Sequence, residues 1–108
     1  MISIDDIGGE IVKCDDRYVV KDNNQLNNLI LSSTDLKPGK STTGHTHPGQ
    51  EEVYQIVRGT GVMELDDKFI GIKAGDIILI PDGAFHRVHA SDDGCYFVCV
   101  FDGKRSHK

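Results

Sequence analysis

The chain has little of what marks disulfide-linked or membrane-spanning proteins. It has no tryptophan, 3 prolines and 3 cysteines in 108 residues. Cys14, Cys95 and Cys99 are odd in number and form no Cys-x-x-Cys pair, which argues against a disulfide framework or a zinc knuckle and favours a reducing cytoplasm. No run of about 18 apolar residues and no N-terminal signal pattern is present. We therefore expect a soluble cytoplasmic protein with no membrane partner.

Positive charge is also scarce. The chain carries 12 Lys and Arg against 17 Asp and Glu, a formal net charge of -5. Its basic cluster, Lys104 to Lys108, is interpreted as a solvated chain end rather than a partner site. This balance argues against a nucleic-acid partner.

What the sequence does have is turn formers and short apolar runs. A chain of 11.9 kDa has room for a single core, so residues 1–108 are predicted to form one domain. The 12 glycines and the lack of long helical apolar patterns favour an all-β sandwich or barrel. The predicted strands are Ile11–Val12, Arg17–Val20, Leu29–Leu36, Thr42–His47, Glu52–Val57, Gly61–Leu65, Phe69–Ile72, Ile77–Ile80, Phe85–His89 and Tyr96–Phe101.

Several of these strands are apolar on both faces. Ile77–Ile80 and Tyr96–Phe101 have no polar face, although a barrel wall needs only one buried face. The alternation does not show which face of Tyr96–Phe101 lines the interior. We expect either N-terminal strands or a second subunit to cover part of the outer wall, and we predict a homodimer.

A histidine pair followed by a returning carboxylate is the most informative pattern. His45 and His47 share one strand face, with Cα atoms about 6.6 Å apart. After the Pro48-Gly49 turn, Glu51 or Glu52 returns at a cross-strand distance of about 5 Å. A His-x-His pair alone is typical of a solvated surface strand. The returning carboxylate favours a transition-metal site instead.

Two further histidines and a tyrosine lie near this pattern. His86 opens a strand and shares a face with Val88, whereas His89 faces outward and is expected to be a solvated surface residue. Tyr54 lies on the same strand face as Glu52, so it is expected to face the interior if Glu52 is the returning carboxylate. It is our candidate catalytic residue, as a hydrogen-bond donor or an acid, although a tyrosine that only packs its ring is equally consistent.

Two segments of the chain closely resemble the two motifs of the cupin superfamily. The first, at residues 39–59, is matched by Gly39, His45, His47, Glu52 and Gly59. The second, at residues 75–90, is matched by Gly75, Pro81, Gly83 and His86, with Ala90 where the family has asparagine. The spacing to Gly59 selects Glu52 over Glu51. Together the motifs span about half of the chain.

The resemblance implies a small single-domain β-barrel of jelly-roll type, usually dimeric. It also implies one divalent transition metal per chain, of the series Mn, Fe, Ni, Co and Zn, held by His45, His47, Glu52 and His86. Such a set leaves two octahedral positions for water, O₂ or a bidentate ligand.

The family's chemistry is diverse, so the reaction must come from the site itself. We expect a metal-dependent enzyme that acts on a small-molecule ligand in the barrel: a sugar, a sugar phosphate, or a hydroxy or keto acid. Isomerisation is favoured over dioxygenation, because no aromatic cage for an apolar substrate is evident. The alternative is a non-catalytic module that binds a carbohydrate or an effector. Four cations are candidates to meet an anionic ligand at the barrel mouth: Lys37, Lys40, Arg58 and Arg87.

Overall fold

The computed structural model describes residues 1–103, and all the regular structure in that range is β-strand. The predicted solvated end at 104–108 lies outside the described residues. Seven strands follow in chain order: β1 Glu10–Cys14, β2 Tyr18–Asn23, β3 Leu29–Leu36, β4 Glu52–Leu65, β5 Lys68–Lys73, β6 Ile77–Ile80 and β7 His86–Asp102. The predicted all-β class is confirmed.

The strands form one antiparallel sheet, ordered β1-β2-β3-β7-β4-β5, with β6 paired to β4. Strand β4 pairs with β6 through its first residues, Glu52 to Gln55, and with β5 through Thr60 to Leu65. The two ends of β4 therefore belong to different parts of the wall. Within residues 1–103, no helix is long and apolar enough to cross a membrane.

The predicted breaks inside β4 and β7 are wrong, because both strands continue through them. Gly59 and Gly94 have φ values of 83° and 75°, a region that side chains rarely adopt. A Cβ on Gly59 would lie 2.1 Å from the carbonyl oxygen of Gly94. The pairing register also shifts on both sides of Gly59. The turn formers therefore produce a joint bend of two paired strands rather than a reversal of the chain.

The predicted strand Thr42–His47 is also wrong: this segment makes only isolated bridges, from Ser41 to His89 and from His45 to His86. The segment does not form a continuous β-ladder with β7, because side chains take some of the backbone hydrogen bonds that such a ladder would use. Thr42 Oγ1 accepts a hydrogen bond from the backbone N–H of Val88 at 3.0 Å. The segment nevertheless runs beside the start of β7, which keeps its histidines next to His86.

The interior face of the C-terminal half of β7, which the sequence left open, carries four buried residues that belong to the main core: Cys95, Phe97, Cys99 and Phe101. The alternate residues Tyr96 and Val98 lie on the outer wall and pack with Ile7 in a second cluster. The Tyr96 hydroxyl donates to the carbonyl oxygen of Ile4 at 2.8 Å. The N-terminal segment therefore covers this part of the wall.

The three cysteines are all free, but only Cys14 is exposed. Burial raises the pKa of the Cys95 thiol to about 11, so it stays protonated at pH 8, and thiolate is the reactive form. We expect iodoacetamide at pH 8 to modify Cys14 alone in the native protein and all three cysteines in urea. Peptide mass spectrometry gives the sites. Native modification of Cys95 as fast as that of Cys14 would contradict this packing.

Candidate functional site

Three of the four predicted metal ligands converge in the interior. His47 precedes the Pro48 turn, Glu52 opens β4 and His86 opens β7, and all three are buried. One ligand atom from each lies within 4.8 Å of the others. His47 Nδ1 lies 2.5 Å from Glu52 Oε1, and His86 Nε2 lies 3.9 Å from Glu52 Oε2. The turn and the two strand starts thus bring a carboxylate between two imidazoles.

The surroundings of His86 set its ring orientation and charge. Its Nδ1 is 3.2 Å from the carbonyl oxygen of Ala84. A carbonyl only accepts, so Nδ1–H is the donor and Nε2 carries the lone pair that faces Glu52. Burial lowers the pKa of His86, although the nearby Glu52 carboxylate opposes the shift. The ring is therefore neutral at pH 7 and oriented as histidine ligands are in metal sites.

The chemistry of this donor set fits a first-row divalent ion. Neutral imidazole nitrogens together with a carboxylate are ligands that such ions bind. A buried carboxylate is costly without a compensating cation, which a divalent ion at this position would provide. Glu52 is buried, whereas its neighbour Glu51 is exposed. The residues present are thus a candidate metal site formed by His47, Glu52 and His86.

His45, the fourth predicted ligand, lies beside this cluster rather than within it. Its ring centroid is 5.6 Å from that of His47 and 6.5 Å from that of His86. It is partly exposed and lines the same cavity as the three buried residues. Its role as a ligand stays a prediction.

Tyr54 also lines this cavity, which has a volume of about 50 Å³. Its ring stacks on Phe97, with centroids 5.1 Å apart, and meets the edge of His86 at 5.9 Å. The ring therefore has a clear packing role, and its catalytic role stays a prediction. The aromatic lining, with Tyr18 and Phe101 as well, is richer than the sequence led us to expect.

The sequence reasoning missed several hydroxyl groups of the cavity lining, those of Tyr18, Ser32, Thr34, Thr42 and Thr43. A signal was present for two of them. Ser32 and Thr34 lie two residues apart on the same face of β3 as the core residues Ile30 and Leu36, so that the strand period of two places them on the interior face. The two threonines of the Thr42–His47 segment had no such signal, because that segment is not a strand.

Arg58, one of the four cations considered for the barrel mouth, lies on the outer wall and not at the cavity. It pairs with Asp5 and stacks 4.3 Å above the ring of Tyr96, on the outer wall. A different arginine touches the cavity lining: Arg17 donates to Thr43 Oγ1 at 2.9 Å and to the Tyr18 hydroxyl at 3.1 Å.

His89 faces away from the core, but it is not simply solvated. Its Nδ1 is 2.7 Å from Ser41 Oγ, and its Nε2 is 3.1 Å from Glu64 Oε1. His89 thus ties the segment that carries His45 and His47 to the outer face of β4. This is a structural role near the site rather than part of it.

Imidazoles and a carboxylate meet in the interior of this antiparallel sheet. The protein is therefore of the class of β-barrels that have a candidate metal site inside the barrel. The Cupin domain family model matches residues 32–101, more than half of the chain. The protein therefore belongs to the cupin family, and the predicted cupin barrel of jelly-roll type is confirmed.

Two curated proteins and one solved structure illustrate these similarities. The chain is 40% identical over 59 residues to an oxalate-binding protein of Thermotoga maritima, covering 55% of this chain and 49% of that protein. It is 34% identical over 79 residues to the oxalate decarboxylase OxdC of Bacillus subtilis, covering 69% of this chain and 20% of the enzyme. The structure of KdgF from Halomonas sp. superposes with a TM-score of 0.78 at 18% identity, covering 89% of each chain. The chain thus spans about half or less of these two curated relatives.

Proposed function

We propose that the protein binds one divalent transition metal through His47, Glu52 and His86, with His45 as a fourth ligand, and acts as a metal-dependent enzyme on a small oxygen-rich metabolite. The observation that carries this proposal is the burial of the Glu52 carboxylate between two imidazoles beside a cavity. The metal is of the series Mn, Fe, Ni, Co and Zn, among which these ligand types do not discriminate. The three free cysteines support a reducing, cytoplasmic setting.

A divalent ion bound there supplies Lewis-acid polarisation of a carbonyl or hydroxyl oxygen. The protein's own residues do the rest. Ala84 fixes the ring of His86, and the packing of Phe97 against Tyr54 excludes water from one wall. Tyr54 is the proposed proton-transfer group. The hydroxyls of Ser32 and Thr34 line the cavity and suit a hydroxylated substrate, which supports isomerisation ahead of dioxygenation.

A second candidate is a non-catalytic module in which the ion holds a ligand. It is supported by the relative named an oxalate-binding protein, while the relative named an oxalate decarboxylase supports an enzyme. The experiment that separates the two reconstitutes tag-free protein with each metal. It then screens O₂ uptake, sugar isomerisation and oxalate breakdown. Turnover with any metal supports the enzyme. Ligand binding without turnover under every condition favours the binding module.

The outer wall supports the proposal that a second copy of this chain is the partner. In the sheet register, Val53 pairs with Leu79 on one side and with Val100 on the other, so these exposed aliphatic side chains form one row across β6, β4 and β7. Leu79 is 69% exposed. An apolar row on a sheet face can pack against its own symmetry mate, as in a two-fold homodimer.

We expect Leu79→Asp to convert the dimer to a monomer, because it places a carboxylate at the β6 end of this row, on its most exposed side chain. Multi-angle light scattering at micromolar concentration should give twice 11.9 kDa for the wild type and 11.9 kDa for the variant. Phe69→Asp is the matched control, because Phe69 is 67% exposed but lies on β5, away from the row. A wild-type mass of a single chain would end the dimer proposal.

A further inference from the structure

We propose that Arg17 determines the ligand specificity of the cavity and selects small carboxylates over neutral ligands. The inference rests on the proposed function, because the ligand would occupy the cavity beside the candidate metal site. It narrows that function to hydroxy and keto acids.

Arg17 is held in place by the turn between β1 and β2. Its Nε and Nη2 donate to Asp15 Oδ2 at 3.3 and 3.0 Å, and its backbone N–H donates to Asp15 Oδ1 at 2.8 Å. These hydrogen bonds lower the pKa of the Asp15 carboxyl, so the pair remains ionised at neutral pH. Asp15 therefore fixes one edge of the guanidinium and leaves Nη1 directed at Thr43.

The guanidinium acts on two hydroxyl groups of the cavity lining. Arg17 Nη2 donates to the Tyr18 hydroxyl, and Nη1 donates to Thr43 Oγ1. A hydroxyl that accepts a hydrogen bond still has its own hydrogen to donate. Donation from a cation polarises that O–H and strengthens it as a donor. Although Asp15 pairs with the other edge of the guanidinium, Arg17 still donates to both hydroxyls, and two O–H donors polarised in this way suit an anionic oxygen better than a neutral sugar hydroxyl.

The size of the cavity favours a compact anion. Its volume of about 50 Å³ has room for about three to five waters. A sugar phosphate would have to extend beyond this volume through the cavity mouth, whereas hydroxy and keto acids carry a carboxylate on a short skeleton that fits inside it. These acids also bear the second oxygen that a metal site binds. Among the proposed ligand classes, these acids best combine a compact size, a negative charge and a chelating group.

The test uses isothermal titration calorimetry on the full chain loaded with Mn²⁺. The probes are malonate and malonamide, a dianion and a neutral diamide of similar shape. We expect Arg17→Gln to weaken malonate binding about tenfold or more, with Mn²⁺ and malonamide affinities unchanged. Arg17→Lys should recover part of the loss, because it keeps the charge. Arg58→Gln is the matched control: it removes an arginine from the outer wall and should bind malonate as the wild type does.

Three results would overturn the inference. The first is equal malonate affinity in the wild type and Arg17→Gln while both bind Mn²⁺. The second is an equal loss of malonate and malonamide binding, which would mean that Arg17 only stabilises the cavity wall and does not recognise charge. The third is binding of inorganic phosphate that is tighter than that of malonate and depends on Arg17. The cavity would then select phosphate rather than carboxylates. A wild type that binds no Mn²⁺ or other divalent metal would instead overturn the proposed metal-centred function itself.

Discussion

Glu52→Ala is expected to weaken the binding of a divalent transition metal by about 100-fold or more. Glu52 is the carboxylate of the cluster, and its two oxygens face His47 and His86. Loss of a residue that merely supports a ligand already costs about 10- to 100-fold in metal affinity, so loss of the carboxylate ligand should cost at least as much. Competition with a fluorescent chelator for Mn²⁺ or Zn²⁺ measures the change.

The adjacent glutamate provides the matched control for this variant. Glu51→Ala removes the same charge one residue earlier, but Glu51 is exposed and should leave metal affinity near the wild-type value. Glu52→Gln keeps the shape without the charge and should also bind weakly. Because removing a buried carboxylate also removes its desolvation cost, the metal-free variants should stay folded by circular dichroism. Wild-type affinity in Glu52→Ala would place the metal elsewhere.

Phe97→Ala is expected to lower the free energy of unfolding by about 3–5 kcal/mol. Phe97 is 2% exposed, belongs to the main core and stacks on Tyr54. This loss is a large part of the total free energy of unfolding of a typical domain, which is about 5–15 kcal/mol. Urea unfolding followed by circular dichroism measures it.

Phe69→Ala is the control for that measurement, because it deletes the same ring from a site that is 67% exposed. Its effect should stay within about 0.5 kcal/mol. Equal losses in the two variants would mean that Phe97 does not lie in the core. Since Tyr54 also contacts the edge of His86, Phe97→Ala should weaken metal binding as well, which links the core to the site.

Much of the site could be predicted, because strand alternation and one turn are strong local constraints. The period of two places Glu52 and Tyr54 on one face, and both line the cavity. The Pro48 turn brings His47 back toward Glu52, as expected. The interior face of β7 could not be chosen, because both faces are apolar. The choice depends on Ile7, which lies far away in sequence and covers the outer face.

Other features depend on contacts that no local pattern encodes. Turn formers at Gly59 and Gly94 predict a chain reversal when each is taken alone. They give a bend because β4 and β7 pair there and approach closely. Arg17 likewise looks like an ordinary surface cation until the β1–β2 turn is placed beside Thr43. In each case tertiary pairing decides the outcome, and local propensity does not.

We propose above all that this barrel holds a divalent metal at His47, Glu52 and His86. The most direct test is elemental analysis, by inductively coupled plasma mass spectrometry, of protein purified without an affinity tag or added metal. The same analysis is repeated after incubation with Mn, Fe, Ni, Co and Zn salts and desalting. We predict one ion per chain in the wild type and a large loss in the triple alanine variant. No ion before or after incubation, or equal metal content in the two proteins, would contradict the claim.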